Sequence, residues 1–188
     1  VIIFCTLLWT AFIAFRPNPQ PLGIPSGNKL SGIMLGAAFF QIAIGAMMSG
    51  AKAGLFYPTW PDMRGEYLPA VLLDPGHWQL NSFLEYDTNP FMPALIQFLH
   101  RNTAYILTVI VLWFAWKGKK EGMSADRGFW SLLLGLLALQ VTLGIVTLIN
   151  CVGSVPVDLG VYHQACAVLR IGVILWSFYR TTERAKSV

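Results

Sequence analysis

Phe129-Trp-Ser-Leu-Leu-Leu-Gly-Leu-Leu-Ala-Leu-Gln-Val-Thr-Leu-Gly-Ile-Val-Thr-Leu-Ile149 contains no charged residue. A helix crosses the hydrocarbon core of a bilayer with roughly 20 apolar residues, and this stretch supplies them. Working outward, comparable runs occur at Val1 to Phe15, Leu30 to Gly50, Ala94 to Trp116 and Gly160 to Tyr179. In chain order the last four of these five runs are long enough to span. The first is short, starts without Met, lacks the basic start and small-residue cleavage site of a signal peptide, and reads as the remainder of a truncated transmembrane helix. The expected fold is all-α: a polytopic transmembrane bundle of four full spans plus one truncated N-terminal span. Residues 30–179 are expected to form the principal unit and residues 1–15 a separate helix.

Composition agrees with that pattern. The chain is 55% hydrophobic and only 12% charged, with a mean hydropathy of +0.58, against about 25% charged residues in soluble proteins. A soluble domain, a disordered chain and a disulfide-stapled mini-protein are excluded. The net charge of +4 does not point to nucleic acid, because the basic residues flank apolar runs. Arg16 and Lys29, then Lys117, Lys119, Lys120 and Arg127, then Arg180, Arg184 and Lys186 make nine on one side. The segment 51–93 has Lys52 and Arg64 against Asp62, Glu66, Asp74, Glu85 and Asp87, and the segment 150–159 has no basic residue. By the positive-inside rule the N-terminus lies outside, the C-terminus inside, and both of these segments on the outer face. The longer one, rich in Tyr57, Trp60, Tyr67, Trp78 and Tyr86, reads as an aromatic cap on the outer membrane surface.

Two helices share a pattern, Gln41-Ile-Ala-Ile-Gly45 and Gln140-Val-Thr-Leu-Gly144, and each is followed by a helix with one histidine near its outer end. The chain therefore reads as two related hairpins, although small-residue packing alone also accounts for the glycines. His100 and His163 fall roughly 9 Å and 5 Å below the starts of their runs at 1.5 Å per residue, so they lie at similar depth. Ionisable groups inside a membrane are rare and face an interior or a functional site. Two imidazoles at matched depth suit the two axial positions of a b-type haem iron, whereas a tetrahedral zinc would need further donors. The same spacing also allows each histidine simply to hydrogen-bond within the bundle.

Around this pair, Arg101 is placed to meet a haem propionate or to snorkel to the interface. Gln97 and Gln164 are placed to orient imidazoles or propionates, or to act as polar contacts between helices. Arg170 shares the His163 face about 10 Å deeper and is expected to face the interior. His77 lies in the outer segment. Cys5, Cys151 and Cys166 form no pair pattern, so neither a structural disulfide nor thiol catalysis is expected, and no nucleotide-binding motif occurs.

Ala53-Gly-Leu-Phe-Tyr-Pro-Thr-Trp-Pro-Asp-Met63, then Asn81 and Glu85, then Gln97-Phe-Leu-His-Arg-Asn-Thr-Ala-Tyr105, Gln140-Val-Thr-Leu-Gly-Ile-Val-Thr-Leu148 and His163-Gln164 occur in order. Together they resemble the C-terminal half of the haem A synthase family, mitochondrial and proteobacterial type. Leu8-Trp9-Thr10 is similar to the end of that family's fourth helix. The resemblance implies eight helices in two similar halves, each with a histidine pair, and makes His100 and His163 the axial ligands of haem b. It implies oxidation of the C8 methyl of haem O to a formyl, giving haem A for cytochrome oxidase. Haem O synthase or oxidase assembly factors are the implied partners, in a bacterial cytoplasmic or mitochondrial inner membrane. The substrate-site residues of the N-terminal half have no counterpart here. The alternative is a non-enzymatic membrane cytochrome b for electron transfer.

Overall fold

The computed structural model describes residues 1–15, 27–86, 89–121 and 127–182. Arg16, Asp87, Arg184 and Lys186 of the charge pattern lie outside them. The described chain is helical: α1 (Ile2–Phe15), α2 (Gly27–Gly50), α3 (Leu80–Leu84), α4 (Phe91–Lys120), α5 (Arg127–Ile149) and α6 (Val157–Thr182). Short 3₁₀ turns at Ala53–Leu55, Ala70–Leu72 and Pro75–His77 punctuate the outer segment. Four helices, α2, α4, α5 and α6, are long and apolar enough to cross a membrane. The chain is an all-α, polytopic integral membrane protein.

Every spanning helix overruns its apolar run by a few residues at one or both ends. Helical hydrogen bonding continues into the polar flanks, and in α4 and α6 terminal charges favour it. Lys117, Lys119 and Lys120 occupy the last turn of α4, against the negative end of its dipole, and Asp158 the first turn of α6. Pro156 directly precedes α6, and Pro93 sits in the first turn of α4, where a missing N–H breaks no helical bond.

The chain divides into two compact units, and the helices run through both. The first takes residues 1–39, 106–140 and 165–188. Its core is aromatic. Trp9 and Phe12 of α1 meet Tyr179 at 5.1 and 5.6 Å between centroids, and Phe12 meets Trp176 edge-on at 4.8 Å. The hydroxyls of Ser31 and Ser177 are 3.2 Å apart between α2 and α6, with Gly32 giving room to the Phe178 ring. Phe114 of α4 packs on Trp130 of α5. Where lipid replaces water, such close packing and hydroxyl pairs hold helices together, since burial of apolar area no longer does so.

The second unit takes residues 40–105 and 141–164. It unites the C-terminal ends of α2 and α5, the N-terminal ends of α4 and α6, and the outer segment. Phe91, the first residue of α4, is the hub of a ring cluster with His77, Trp78 and Phe83, and it is fully buried with Leu72 and Ala94 beside it. The aromatic residues of the outer segment thus pack onto the start of a spanning helix.

Candidate functional site

Both membrane histidines fall in the second unit. His100 sits on α4 and His163 on α6. Each ring lies against a glycine of the hairpin partner. A Cβ added to Gly45 would stand 3.2 Å from His100 Cε1, and one added to Gly144 would stand 2.9 Å from His163 Cε1. The two shared patterns therefore end in glycines that make room for the two imidazoles.

The glutamine of the first pattern reaches the same histidine. Gln41 Nε2 is 3.0 Å from His100 Nδ1, 3.2 Å from His100 Nε2, and donates to the His100 carbonyl at 3.0 Å. Thr103, one turn along α4, donates its hydroxyl to Gln41 Oε1. Gln140 of the second pattern is buried. Sequence reasoning registered these residues as an echo without placing them at the histidines. The signal was present, since each pattern occurs one helix before its histidine, but spacing alone does not say which face of a neighbour a residue meets.

The structure places the Arg101 guanidinium against the outer segment. The residue is only 8% exposed, and its guanidinium donates to four backbone carbonyls of the outer segment. Nη1 reaches Asp62 at 2.6 Å and Pro61 at 3.2 Å, and Nη2 reaches Thr59 at 2.5 Å and Tyr57 at 3.3 Å. Nε is buried without a partner. Gln97, fully buried one turn earlier, donates from Nε2 to Tyr57 O at 2.7 Å, so its amide meets the loop rather than an imidazole. Asn102 accepts from the Tyr67 hydroxyl at 2.6 Å, and the Trp60 indole donates to Tyr105 at 3.2 Å. None of these loop contacts was foreseen, because a backbone carbonyl leaves no mark in a sequence.

The clamped segment is a tight reversal. Arg64 and Gly65 adopt positive φ of 59° and 90°, and Met63 N–H bonds Glu66 O at 2.7 Å. Asp62 closes the turn by accepting from Gly65 N–H at 3.1 Å. That bond, with help from Thr59 and the Arg101 charge and against some desolvation, holds the Asp62 carboxyl below the ordinary carboxylate range. Beside the segment, Cys151 fits against Gly54, where an added Cβ would stand 2.9 Å from its Sγ, and burial pushes the thiol above its usual value.

The remaining candidates disperse. Gln164 is exposed on α6, and His77 pairs with Asp74 at 3.7 Å and stacks on Phe91. Arg170 is 6% exposed in the first unit. A groove of about 280 Å³ lined by Ile2, Cys5, Thr6, Trp9, Phe39 and Leu175 also belongs to that unit and contains neither histidine. Among the described residues no group of three or more His, Cys, Asp or Glu side chains converges as a metal-ion site.

These features define a class: a helical integral membrane protein whose second unit holds two intramembrane imidazoles, each seated against a glycine. Comparison with known proteins gives the family. The cytochrome oxidase assembly protein model matches residues 1–175, and the chain belongs to that family. It is 33% identical over 182 residues to the haem A synthase of Parvibaculum lavamentivorans, covering 97% of this chain and 49% of the relative. It is 33% identical over 174 residues to the haem A synthase of Bradyrhizobium sp. (strain ORS 278), covering 90% and 44%. To that of Paracoccus denitrificans it is 36% identical over 138 residues, covering 73% and 34%. The chain thus spans about half the length, or less, of the curated relatives it matches. No solved structure matches it.

Proposed function

We propose that this chain is the haem b-binding half of a haem A synthase-type oxidoreductase, with His100 and His163 as axial ligands. The observation that carries the reading is the pair of glycine seats, Gly45 under His100 and Gly144 under His163, in one unit. Two imidazole donors suit a six-coordinate, low-spin haem iron, and a ring seat that a methyl group would obstruct is a site whose geometry is specified. When bound, the haem supplies a one-electron iron centre for electron transfer. The chain's own residues hold and aim the imidazoles: Gln41 and Thr103 at His100, Gly45 and Gly144 behind the rings. Gln97 and Arg101 secure the segment 57–62 beside the outer turns of α4, which limits water at that end.

In the whole protein the reaction is oxidation of the C8 methyl of haem O to the formyl of haem A. The relatives named haem A synthase support this. Residues 30–179 form the haem-binding half-domain, with residues 1–15 as a helix beside it. The membrane is the bacterial cytoplasmic or mitochondrial inner membrane, with the C-terminus on the cytoplasmic or matrix side. Haem O synthase and oxidase assembly factors are the partners that this product implies.

The test is the reduced-minus-oxidised optical spectrum of the purified protein after haem-replete expression, beside His100→Ala and His163→Ala. A low-spin b-type spectrum in wild type, lost in both variants, is expected. A spectrum that survives either substitution overturns the ligand assignment.

A further inference from the structure

Gln41 joins the His100 ring, the His100 backbone and a second polar side chain in a single contact set. Its amide nitrogen meets the ring nitrogens at 3.0 and 3.2 Å and the His100 carbonyl at 3.0 Å, while its oxygen is held by the Thr103 hydroxyl. The Leu99 carbonyl, 2.8 Å from the same hydroxyl oxygen, is its alternative acceptor. Gln41 is 7% exposed, and Gly45, one turn further along α2, packs against the same ring. A polar side chain in this setting is costly unless paired, and its pairing here is directed at an imidazole.

We infer that Gln41 is a positioning residue for His100: it fixes the rotation of the ring and tunes its donor strength toward iron. The inference rests on the reading of His100 as an axial ligand and deepens it. An imidazole that gives one nitrogen to a metal carries its proton on the other, and that N–H takes a hydrogen-bond acceptor which orients the ring and raises its basicity. A primary amide suits both conditions of the ring. It donates to a ring lone pair, as here, or, turned over and released from the His100 carbonyl, presents its oxygen to a ring N–H, the Thr103 hydroxyl then accepting from the amide nitrogen. Leucine at position 41 does neither. Glutamate, when ionised, only accepts, and more strongly.

A more basic axial imidazole stabilises ferric over ferrous iron, so the inference orders three proteins. The haem midpoint potential is measured by optical redox titration for wild type, Gln41→Leu and Gln41→Glu, with the low-spin ferric electron paramagnetic resonance spectrum of each. Gln41→Leu is expected to raise the midpoint and shift the g values while leaving a b-type spectrum, and Gln41→Glu to lower the midpoint. Thr103→Val, which loosens the amide without removing it, is expected to move the potential less than Gln41→Leu. A merely structural role would change haem content without ordering the potentials by acceptor strength. Equal midpoints and identical g values in wild type and Gln41→Leu overturn the inference while leaving His100 as ligand. Wild type without haem, or His100→Ala with its spectrum intact, overturns both.

Discussion

Replacing Arg101 by glutamine should release the outer segment 57–67 from α4, and the structure sets the size of the effect. Two of the four guanidinium bonds are short, 2.5 Å to Thr59 O and 2.6 Å to Asp62 O, and two are long, 3.2 and 3.3 Å. Hydrogen bonds to a charged group contribute about 1.5–3 kcal/mol each. Counting only the short pair gives about 3–6 kcal/mol, and the lower end applies because water can reach these partly exposed carbonyls once the arginine is gone. At 1.4 kcal/mol per tenfold, about 3 kcal/mol raises the population of the open segment roughly a hundredfold. The assay is native-state amide hydrogen exchange on haem-free protein in detergent, read at Met63, Arg64 and Gly65, whose N–H groups bond Glu66 O, Thr59 Oγ1 and Asp62 Oδ1. Their protection should fall by about two orders of magnitude in Arg101→Gln, with the amides of α5 unchanged. Haem-free protein is essential, because an arginine acting only on a propionate would leave exchange untouched there. Wild-type protection of these three amides in Arg101→Gln would refute the clamp.

The two glycine seats differ in tightness, 2.9 Å at Gly144 against 3.2 Å at Gly45, so Gly144→Ala should reduce the haem-to-protein ratio more than Gly45→Ala. Overpacking costs about 1–3 kcal/mol, and equal or reversed losses in the pyridine haemochrome assay would contradict the ranking. The Asp62 carboxyl is held low in the folded segment, so its contribution to segment stability is present above the ordinary value of 3.8 and is lost as pH falls through the lower folded value. Exchange at Gly65 in wild type should therefore accelerate, relative to its intrinsic rate, only below about pH 3.8. Asp62→Asn should lack that acceleration, and an identical acid response in the two proteins would remove Asp62 as its source.

The four spans were legible because a membrane imposes one requirement on every face of a helix, which composition along the chain reports directly. Their ends were less so: α4 runs to Lys120 rather than Trp116, since the helix continues past the hydrocarbon wherever its terminal charges suit the dipole. In the outer segment neither period survived. Its 3₁₀ turns and α3 are fixed by rings packing on Phe91 and by carbonyls that Arg101 gathers, and both are tertiary choices. The candidate site divides the same way. His100 and His163 stood out as rare residue types at matched depth, whereas Gln97 and Arg101 were identified as polar residues beside a histidine, with no sign in the sequence of the loop carbonyls they meet.

That division has a geometric cause on α4. With 100° per residue and Gln97 at zero, Arg101, Tyr105, Phe98 and Asn102 fall at roughly 40°, 80°, 100° and 140°, while Thr103 and His100 fall at roughly 240° and 300°. The first arc holds the outer segment, through the Gln97, Arg101, Asn102 and Tyr105 bonds and the Tyr67 ring on Phe98. The second meets Gln41 of α2. Opposed arcs of one rigid turn cannot be adjusted separately: a rotation of α4 that shortened the Gln41 contact would draw Arg101 off its carbonyls. The rotational setting of His100 is therefore fixed from both sides, by α2 through an amide and by the outer segment through a guanidinium. Loosening either should be felt at the ring, so an Arg101 substitution is expected to perturb a haem bound there through the setting of α4, whatever direct contact Arg101 makes.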